Sequence, residues 1–236
     1  MSWQTQDGFQ VARGHVSDAV IAESRRAFMS RVYGWMFAGL SVTGMVALFT
    51  ATSPELVMKI AQFRWLFFFA QLGLVWFISG KARQMSGALA GALFLGYSVL
   101  TGLTFSVLFY VFTTGSIANV FLMSAGAFGA MSAFATFTKK DLSSWGTFLY
   151  MGMIGIFVAS IVQVFVQSSM LNFVLGCAGV LTFAGLTAYD TQKLRELHAE
   201  SGYDSAASLS IYGALELYLD FINLFIALLR LFGSRR

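Results

Sequence analysis

The sequence predicts an all-α integral membrane protein that crosses the bilayer six or seven times. Of its 236 residues, 57% are hydrophobic and only 11% are charged, whereas a soluble domain usually carries about 25% charged residues. So few charges could not make the surface of this chain polar, so lipid is expected to cover much of it. The apolar residues also form runs close to the ~20 residues that a helix needs to cross hydrocarbon.

Seven apolar segments are the candidate spans. They are residues 32–50, 65–79, 87–112, 117–137, 145–166, 171–189 and 209–229. The second is short, so its helix is expected to begin earlier, near Leu56. The seventh is apolar but contains Glu216 and Asp220. Because the apolar runs are continuous rather than alternating, they predict helices rather than membrane strands.

Short connections between the spans predict a single seven-helix membrane domain over residues 31–232. Residues 1–30 are expected to form a polar tail that ends as an amphipathic helix at the membrane interface, and residues 233–236 a short basic tail. His15 and His198 have no neighbouring metal ligands and are expected at the surface. The net charge of +4 is not a nucleic-acid footprint, because no basic stripe is interleaved with aromatic residues.

Lysine and arginine residues predict the orientation. Ten of them lie in the amino-terminal tail and in the loops after spans two, four and six, whereas the opposite loops hold only Lys59 and Arg64. Because cytoplasmic loops are rich in these residues, the amino terminus is predicted to be cytoplasmic. Arg230, Arg235 and Arg236 leave two alternatives for segment seven: a full span would place them outside, and a re-entrant segment would return them to the cytoplasm.

Ionisable residues within the apolar segments are the candidate functional residues, because each costs from about 2.5 kcal/mol upward to hold in hydrocarbon. In segment seven, Tyr212, Glu216, Asp220 and Asn223 are spaced 4, 4 and 3 residues apart, which places them on one face of a helix. Carboxylates one turn apart repel each other unless a proton or cation lies between them. The stripe is therefore either a path for ions or protons, or a hydrogen-bonded seam that only orients helices.

Asp190 lies at the end of span six, three residues before Lys193. It is either an interfacial residue paired with Lys193 or a partner for segment seven. The depth of the two residues in the membrane argues against the second alternative. Asp190 lies at the end of its span, whereas Asp220 is the middle residue of 209–229, and at about 1.5 Å per residue this is a difference in depth of ~15 Å. The two aspartates meet only if segment seven starts deep or if span six runs past Asp190.

Two motifs make the sequence recognisable. Residues 188–192 read AYDTQ and residues 214–225 read ALELYLDFINLF, and together they closely resemble the Bax inhibitor-1 family, in particular its bacterial YccA-like members. The resemblance extends from about Ser24 to Phe232. It implies six helices around a central seventh, and a calcium leak across the bacterial inner membrane that is gated by pH, with no cofactor.

The resemblance also implies roles for individual residues. The paired aspartates of the family, which sense pH and make transient calcium contacts, map onto Asp190 and Asp220, and a basic residue that pairs with them maps best onto Arg83. Glu216 and Asn223 join this ion pathway as neighbours on the helix face. Related bacterial proteins often carry a glutamate near Gln71, a carboxylate that this chain lacks. Some family members restrain a membrane-bound AAA protease, so a non-catalytic regulator of such a protease is the alternative function.

An intramembrane aspartyl protease would also place a Tyr-Asp pair in one span and an aspartate in the next, where two carboxyls sharing a proton could activate water. Two features of the sequence count against it. Residues 217–220 read LYLD rather than the Gly-x-Gly-Asp of that class, and a Pro-Ala-Leu motif cannot occur because Pro54 is the only proline. The chain is therefore not expected to be an enzyme.

Overall fold

The computed structural model describes residues 18–81, 84–201 and 207–236, and most of them are helical. The helices in these ranges are α1 (Asp18–Ala51), α2 (Pro54–Gln62), α3 (Arg64–Lys81), α4 (Gly87–Phe105), α5 (Leu108–Val111), α6 (Thr114–Phe137), α7 (Ser143–Val166), α8 (Ser169–Glu200) and α9 (Ala207–Phe232). Arg83 and residues 1–17 of the expected amino-terminal tail lie outside the described residues.

Polar residues fix the starts of three of these helices. Ser86, Thr113 and Ser168 have extended backbones, and the side chain of each accepts a hydrogen bond from the backbone N–H three residues later. Such a cap satisfies one of the backbone N–H groups that the first turn of a helix leaves without a partner. The starts of α4, α6 and α8 therefore follow from local sequence.

Five stretches within the described ranges are long and apolar enough to cross a membrane: α1, α4 with α5, α6, α7 and α8. The number rises to six if α2 and α3, which are bent by 72° relative to each other, form one broken span. The single second helix expected from near Leu56 is thus two helices that meet at Phe63. The helix α9 is not among these candidates, so the count of seven spans stays a prediction.

Helix α9 is the most enclosed helix of the described structure. Seventeen of its 26 residues are buried, whereas only two residues of α7 are buried. It packs against α1, α4, α6 and α8. Because protein rather than lipid surrounds most of its side chains, α9 can hold carboxylates that an isolated helix in hydrocarbon could not.

The end of α9 contacts the beginning of α6. The backbone N–H of Thr113 donates to the carbonyl of Ser234 over 3.1 Å, and the N–H of Arg236 donates to the carbonyl of Val111 over 3.0 Å. The N–H of Ser234 donates to the hydroxyl of Ser116 over 2.8 Å. Helix α9 is unbroken from Ala207 to Phe232, and the full span and the re-entrant segment both stay predictions.

Two helices extend further than the apolar runs. Helix α1 begins at Asp18 and continues without a break to Ala51, through the segment in which the tail was expected to end. Helix α8 continues eleven residues past Tyr189, to Glu200. Leu194 and His198 in this extension are 0% and 1% exposed. Packing against neighbouring helices stabilises this part of α8. Hydropathy cannot predict it, because hydropathy reflects only how apolar the residues are.

His198 is not at the surface, and that expectation was wrong. Its ring stacks on the ring of Phe28 in α1 with centroids 4.6 Å apart, and its Nε2 lies 2.9 Å from the hydroxyl of Ser24. The imidazole therefore packs between α8 and α1. An isolated histidine in a polar segment gives no sign in the sequence of the aromatic partner that covers it.

A candidate carboxylate site between α8 and α9

The length of α8 brings Asp190 level with Asp220. Asp190 lies ten residues before the end of α8, and Asp220 lies thirteen residues after the start of α9. In two antiparallel helices, these positions are about 15 Å and about 20 Å from the connection that joins them. The two carboxyl groups lie close enough to interact with each other. The aspartates could come together if segment seven started deep or if span six ran past Asp190. The structure shows the second arrangement, because α8 continues to Glu200.

Both aspartates are shielded from solvent. Asp190 is 4% exposed and Asp220 is 5% exposed. The hydroxyl of Tyr150 in α7 donates a hydrogen bond of 3.2 Å to Oδ1 of Asp190. The Oδ2 atom of Asp220 is buried and receives no hydrogen bond from any described residue. Two buried carboxyl groups this close repel each other unless a proton or a cation lies between them.

Glu216 lies one turn before Asp220 and forms an ion pair with Lys193. The Lys193 Nζ atom is 2.8 Å from Oε1 of Glu216 and 3.7 Å from Oδ1 of Asp190. The hydroxyl of Tyr212 also donates to Oε1 of Glu216, over 2.5 Å. Asp190 thus lies near Lys193 as well as near Asp220, and it is buried rather than at an exposed interface.

Asn223 does not join the carboxylates. Its side-chain amide donates to the carbonyl of Leu219, one turn earlier in the same helix, over 2.8 Å. Of the five residues that the sequence singled out, the structure brings Asp190, Glu216 and Asp220 together. It places Asn223 further along α9 and does not describe Arg83.

The residues that follow Asp190 attach α8 to α6 and to the connection between α6 and α7. The hydroxyl of Thr191 is buried 3.4 Å from that of Ser132. The Gln192 side chain accepts a hydrogen bond of 2.7 Å from the N–H of Leu142 and donates one of 3.1 Å to the carbonyl of Lys140. The AYDTQ motif therefore has a structural role, because Thr191 and Gln192 fix the position in which Asp190 is held.

The second motif contributes an anchor of its own. Tyr218 is fully buried, and its hydroxyl lies 2.7 Å from the hydroxyl of Thr43 in α1. The Thr43 hydroxyl also donates to the carbonyl of Ser98 in α4 over 3.0 Å. These contacts join α9 to α1 and α4 two residues before Asp220, so they set the depth of that carboxylate in the bundle.

A cleft of about 280 Å³ opens beside the site. Its lining residues come from the end of α3, from the connection after it, and from facing parts of α8 and α9: Ser79, Gly80, Gln84, Lys193, Leu197, Leu209 and Tyr212. Two of them, Lys193 and Tyr212, contact Glu216 directly. The cleft therefore leads to the Glu216 end of the cluster, and neither Asp190 nor Asp220 lines it.

A larger groove of about 450 Å³ lies between α6, α7 and α8. Its lining is mainly apolar, and it includes the exposed side chains of Trp145, Phe148 and Leu181. None of the three clustered carboxylates lines it. Such a surface suits lipid chains rather than ions.

No group of three histidine, cysteine, aspartate or glutamate side chains converges as a metal site in the part of the chain that the structure describes. The calcium contacts implied for Asp190 and Asp220 therefore stay a prediction. Sequence reasoning missed Tyr150, which donates to Asp190 from a third helix. No sequence signal marks this tyrosine, because it stands alone in an apolar run.

This architecture of long apolar helices around buried carboxylates defines a multi-pass helical membrane protein. The family model described as "Inhibitor of apoptosis-promoting Bax1" matches residues 25–236. The chain therefore belongs to the Bax inhibitor-1 family, as the two motifs led us to expect.

Similar proteins occur in distant bacteria. The inner membrane protein YbhL of Escherichia coli strain K12 is 45% identical over 217 residues, which cover 89% of this chain and 93% of YbhL. An uncharacterized protein of Deinococcus radiodurans is 49% identical over 212 residues, which cover 89% of this chain and 91% of that protein. One from Borreliella burgdorferi is 39% identical over 90% of this chain and 94% of its own length. The similarity thus includes nearly the whole membrane domain.

Proposed function

We propose that this protein is a pH-sensitive calcium leak channel of the bacterial inner membrane, with Asp190 and Asp220 as its sensor. The observation that carries the proposal is the closeness of these two buried carboxyl groups from different helices. A proton shared between them offsets their repulsion. Loss or gain of that proton changes the charge between α8 and α9 by one unit, in a place where water cannot screen it.

A change of charge at this position can alter the packing of the helices. Helix α9 is held by contacts along its length, so a shift at Asp220 would be transmitted to the cleft that ends at Lys193 and Tyr212. Packed helix interfaces tend to switch between discrete arrangements rather than deform continuously. Protonation would then select between a closed and an open arrangement of α8 and α9.

The cluster also has the ligand type that calcium prefers. Calcium is bound by six to eight oxygen atoms, with carboxylates as the charged ligands. Asp190, Asp220 and Glu216 supply carboxylate oxygens, and Asn223 offers an amide oxygen one turn further along α9. We assign these residues to the pathway, with transient calcium contacts at the two aspartates as the ion passes.

The proposal includes a placement in the membrane. Six spans surround α9 as a central seventh, which its burial and its four neighbouring helices support. The amino terminus faces the cytoplasm, because ten of the twelve lysine and arginine residues before α9 lie on that side. The name of the relative YbhL, an inner membrane protein, supports the inner membrane as the location.

The test is calcium flux into sealed vesicles. The purified protein would be reconstituted into liposomes that contain a calcium indicator, and influx measured at several values between about pH 5 and 8. We expect influx above that of protein-free liposomes, with a rate that changes with pH. Influx equal to that of protein-free liposomes at every pH would contradict the proposal.

A further inference from the structure

We propose that Lys193 is the resident cation of the carboxylate cluster, and that its ammonium group occupies the place that a free cation entering from the cleft would otherwise take. This inference deepens the proposed function, on which its importance for ion passage rests. Its structural content concerns binding alone, however, and can be tested without measuring flux.

Lys193 is the natural counter-ion of the cluster. Its ammonium contacts Glu216 at 2.8 Å, lies 3.7 Å from Asp190, and donates to the Tyr150 hydroxyl over 3.4 Å. Within the described ranges, the two ion pairs that Lys193 makes are the only ones shorter than 4.0 Å. The oxygen atoms that face the ammonium are of the type that calcium also binds.

Lys193 also stands at the entrance. Its side chain is 33% exposed, compared with 15% for Glu216 and 6% for Asp190, and it lines the cleft together with Tyr212. A cation that diffuses into the cleft therefore reaches the ammonium before it reaches the carboxylates. The repulsion between the ammonium and the entering cation keeps that cation out until the ammonium moves away.

The lysine is able to make this movement. Its charge is carried on a flexible four-carbon stem and is strongly hydrated when it reaches water. The cleft of about 280 Å³ has room for several water molecules, since each takes about 30 Å³ in the liquid. Withdrawal of Lys193 into the cleft would leave Glu216 and Asp190 without a counter-ion, ready to accept another cation.

Terbium binding tests the proposal. Tb³⁺ is a cation that takes oxygen ligands as calcium does, and nearby tyrosines sensitise its emission, a role that Tyr150 and Tyr212 can fill. We expect Lys193→Gln to bind Tb³⁺ about tenfold or more tightly than the unmodified protein in detergent, because the competing charge is gone. Lys193→Arg, which keeps the charge, should bind as weakly as the unmodified protein.

Lys139→Gln is the matched control, because it removes the same charge from an exposed connection outside the cluster. It should leave Tb³⁺ binding unchanged. Adding Glu216→Gln to Lys193→Gln should abolish the gain in affinity, because Glu216 is the carboxylate closest to the ammonium. The proposal is overturned if Lys193→Gln binds like the unmodified protein, or if Lys139→Gln gains as much affinity.

A second measurement avoids any change at Lys193 itself. Glu216→Gln removes the closest partner of the ammonium, so Lys193 should react faster with an acetylating reagent. Peptide mass spectrometry would quantify the reaction, with acetylation of Lys139 in the same sample as the reference. An unchanged rate at Lys193 would show that Glu216 does not hold it.

The results separate the two proposals. Tighter Tb³⁺ binding by Lys193→Gln, combined with no calcium influx through the unmodified protein, would contradict the leak channel and leave the role of Lys193 standing. Calcium influx that depends on Asp190 and Asp220, combined with unchanged Tb³⁺ binding by Lys193→Gln, would contradict the role of Lys193 and leave the leak channel standing.

Discussion

The carboxyl groups of Asp190 in α8 and Asp220 in α9 are buried and lie close enough to interact, although thirty positions separate them in the chain. Tyr150 donates to one of them, and no described residue donates to Oδ2 of the other. This relationship allows the pair to act as one unit that gains or loses a proton. The first prediction follows from it.

Asp190→Asn and Asp220→Asn should each flatten the pH dependence of calcium influx into liposomes. An amide has the shape of a carboxyl group but does not titrate, so either change removes the shared proton. The double variant should be no flatter than either single variant, because residues that act as a unit are not additive. If both single variants keep the pH profile of the unmodified protein, the stripe on α9 is a structural seam.

Asp141→Asn is the control for this experiment. Asp141 lies in the exposed connection before α7, and hydrogen bonds from the Ser143 hydroxyl and from its backbone N–H hold the pKa of the Asp141 carboxyl below its ordinary value. It therefore stays ionised throughout the neutral range. Its removal should leave the pH profile of calcium influx unchanged.

Cysteine scanning should show that the cleft carries water to Glu216. Cysteine at 212 or 216, in a Cys177→Ser background, should react readily with a small aqueous thiol reagent, because Tyr212 lines the cleft and contacts Glu216. Cysteine at 217 should react slowly, since Leu217 is 0% exposed. Equal rates at 216 and 217 would mean that the polar face of α9 is not a water path.

The ends of the chain should lie on opposite sides of the membrane. Reporter fusions after Gln6 and after Lys140 should both give a cytoplasmic signal, on the distribution of lysine and arginine. A fusion after Arg236 should give a periplasmic signal, because the end of α9 pairs with the connection before α6. A cytoplasmic signal at Arg236 would favour a re-entrant α9, and periplasmic alkaline phosphatase activity after Gln6 would invert the topology.

Tyr218→Phe should lower the thermal stability of the purified protein. The change removes the hydroxyl that lies 2.7 Å from Thr43 in the buried contact of α1 with α9, and losing one such hydrogen bond costs about 1 kcal/mol. Tyr110→Phe is the matched control, because its hydroxyl donates to the carbonyl of Ala51 at an exposed position. We expect a lower Tm for Tyr218→Phe alone, and equal Tm values would show that the buried contact adds no stability.

Composition and local pattern determined the class of this protein. Low charge and continuous apolar runs predicted a helical membrane protein, and the structure and the family both agree. The two motifs identified the Bax inhibitor-1 family, and the helical spacing placed Tyr212, Glu216, Asp220 and Asn223 on one face of α9. These properties depend on residues close together in the chain, so a sequence expresses them directly.

Tertiary structure decided which of these residues meet. Hydropathy ended span six near Asp190, but packing of Leu194 and His198 against neighbouring helices extends α8 to Glu200. That extension brings Asp190 level with Asp220 and allows Lys193 to reach Glu216. A contact between two helices depends on their relative depth and rotation, which the packing of the whole bundle sets and which no spacing within one helix records.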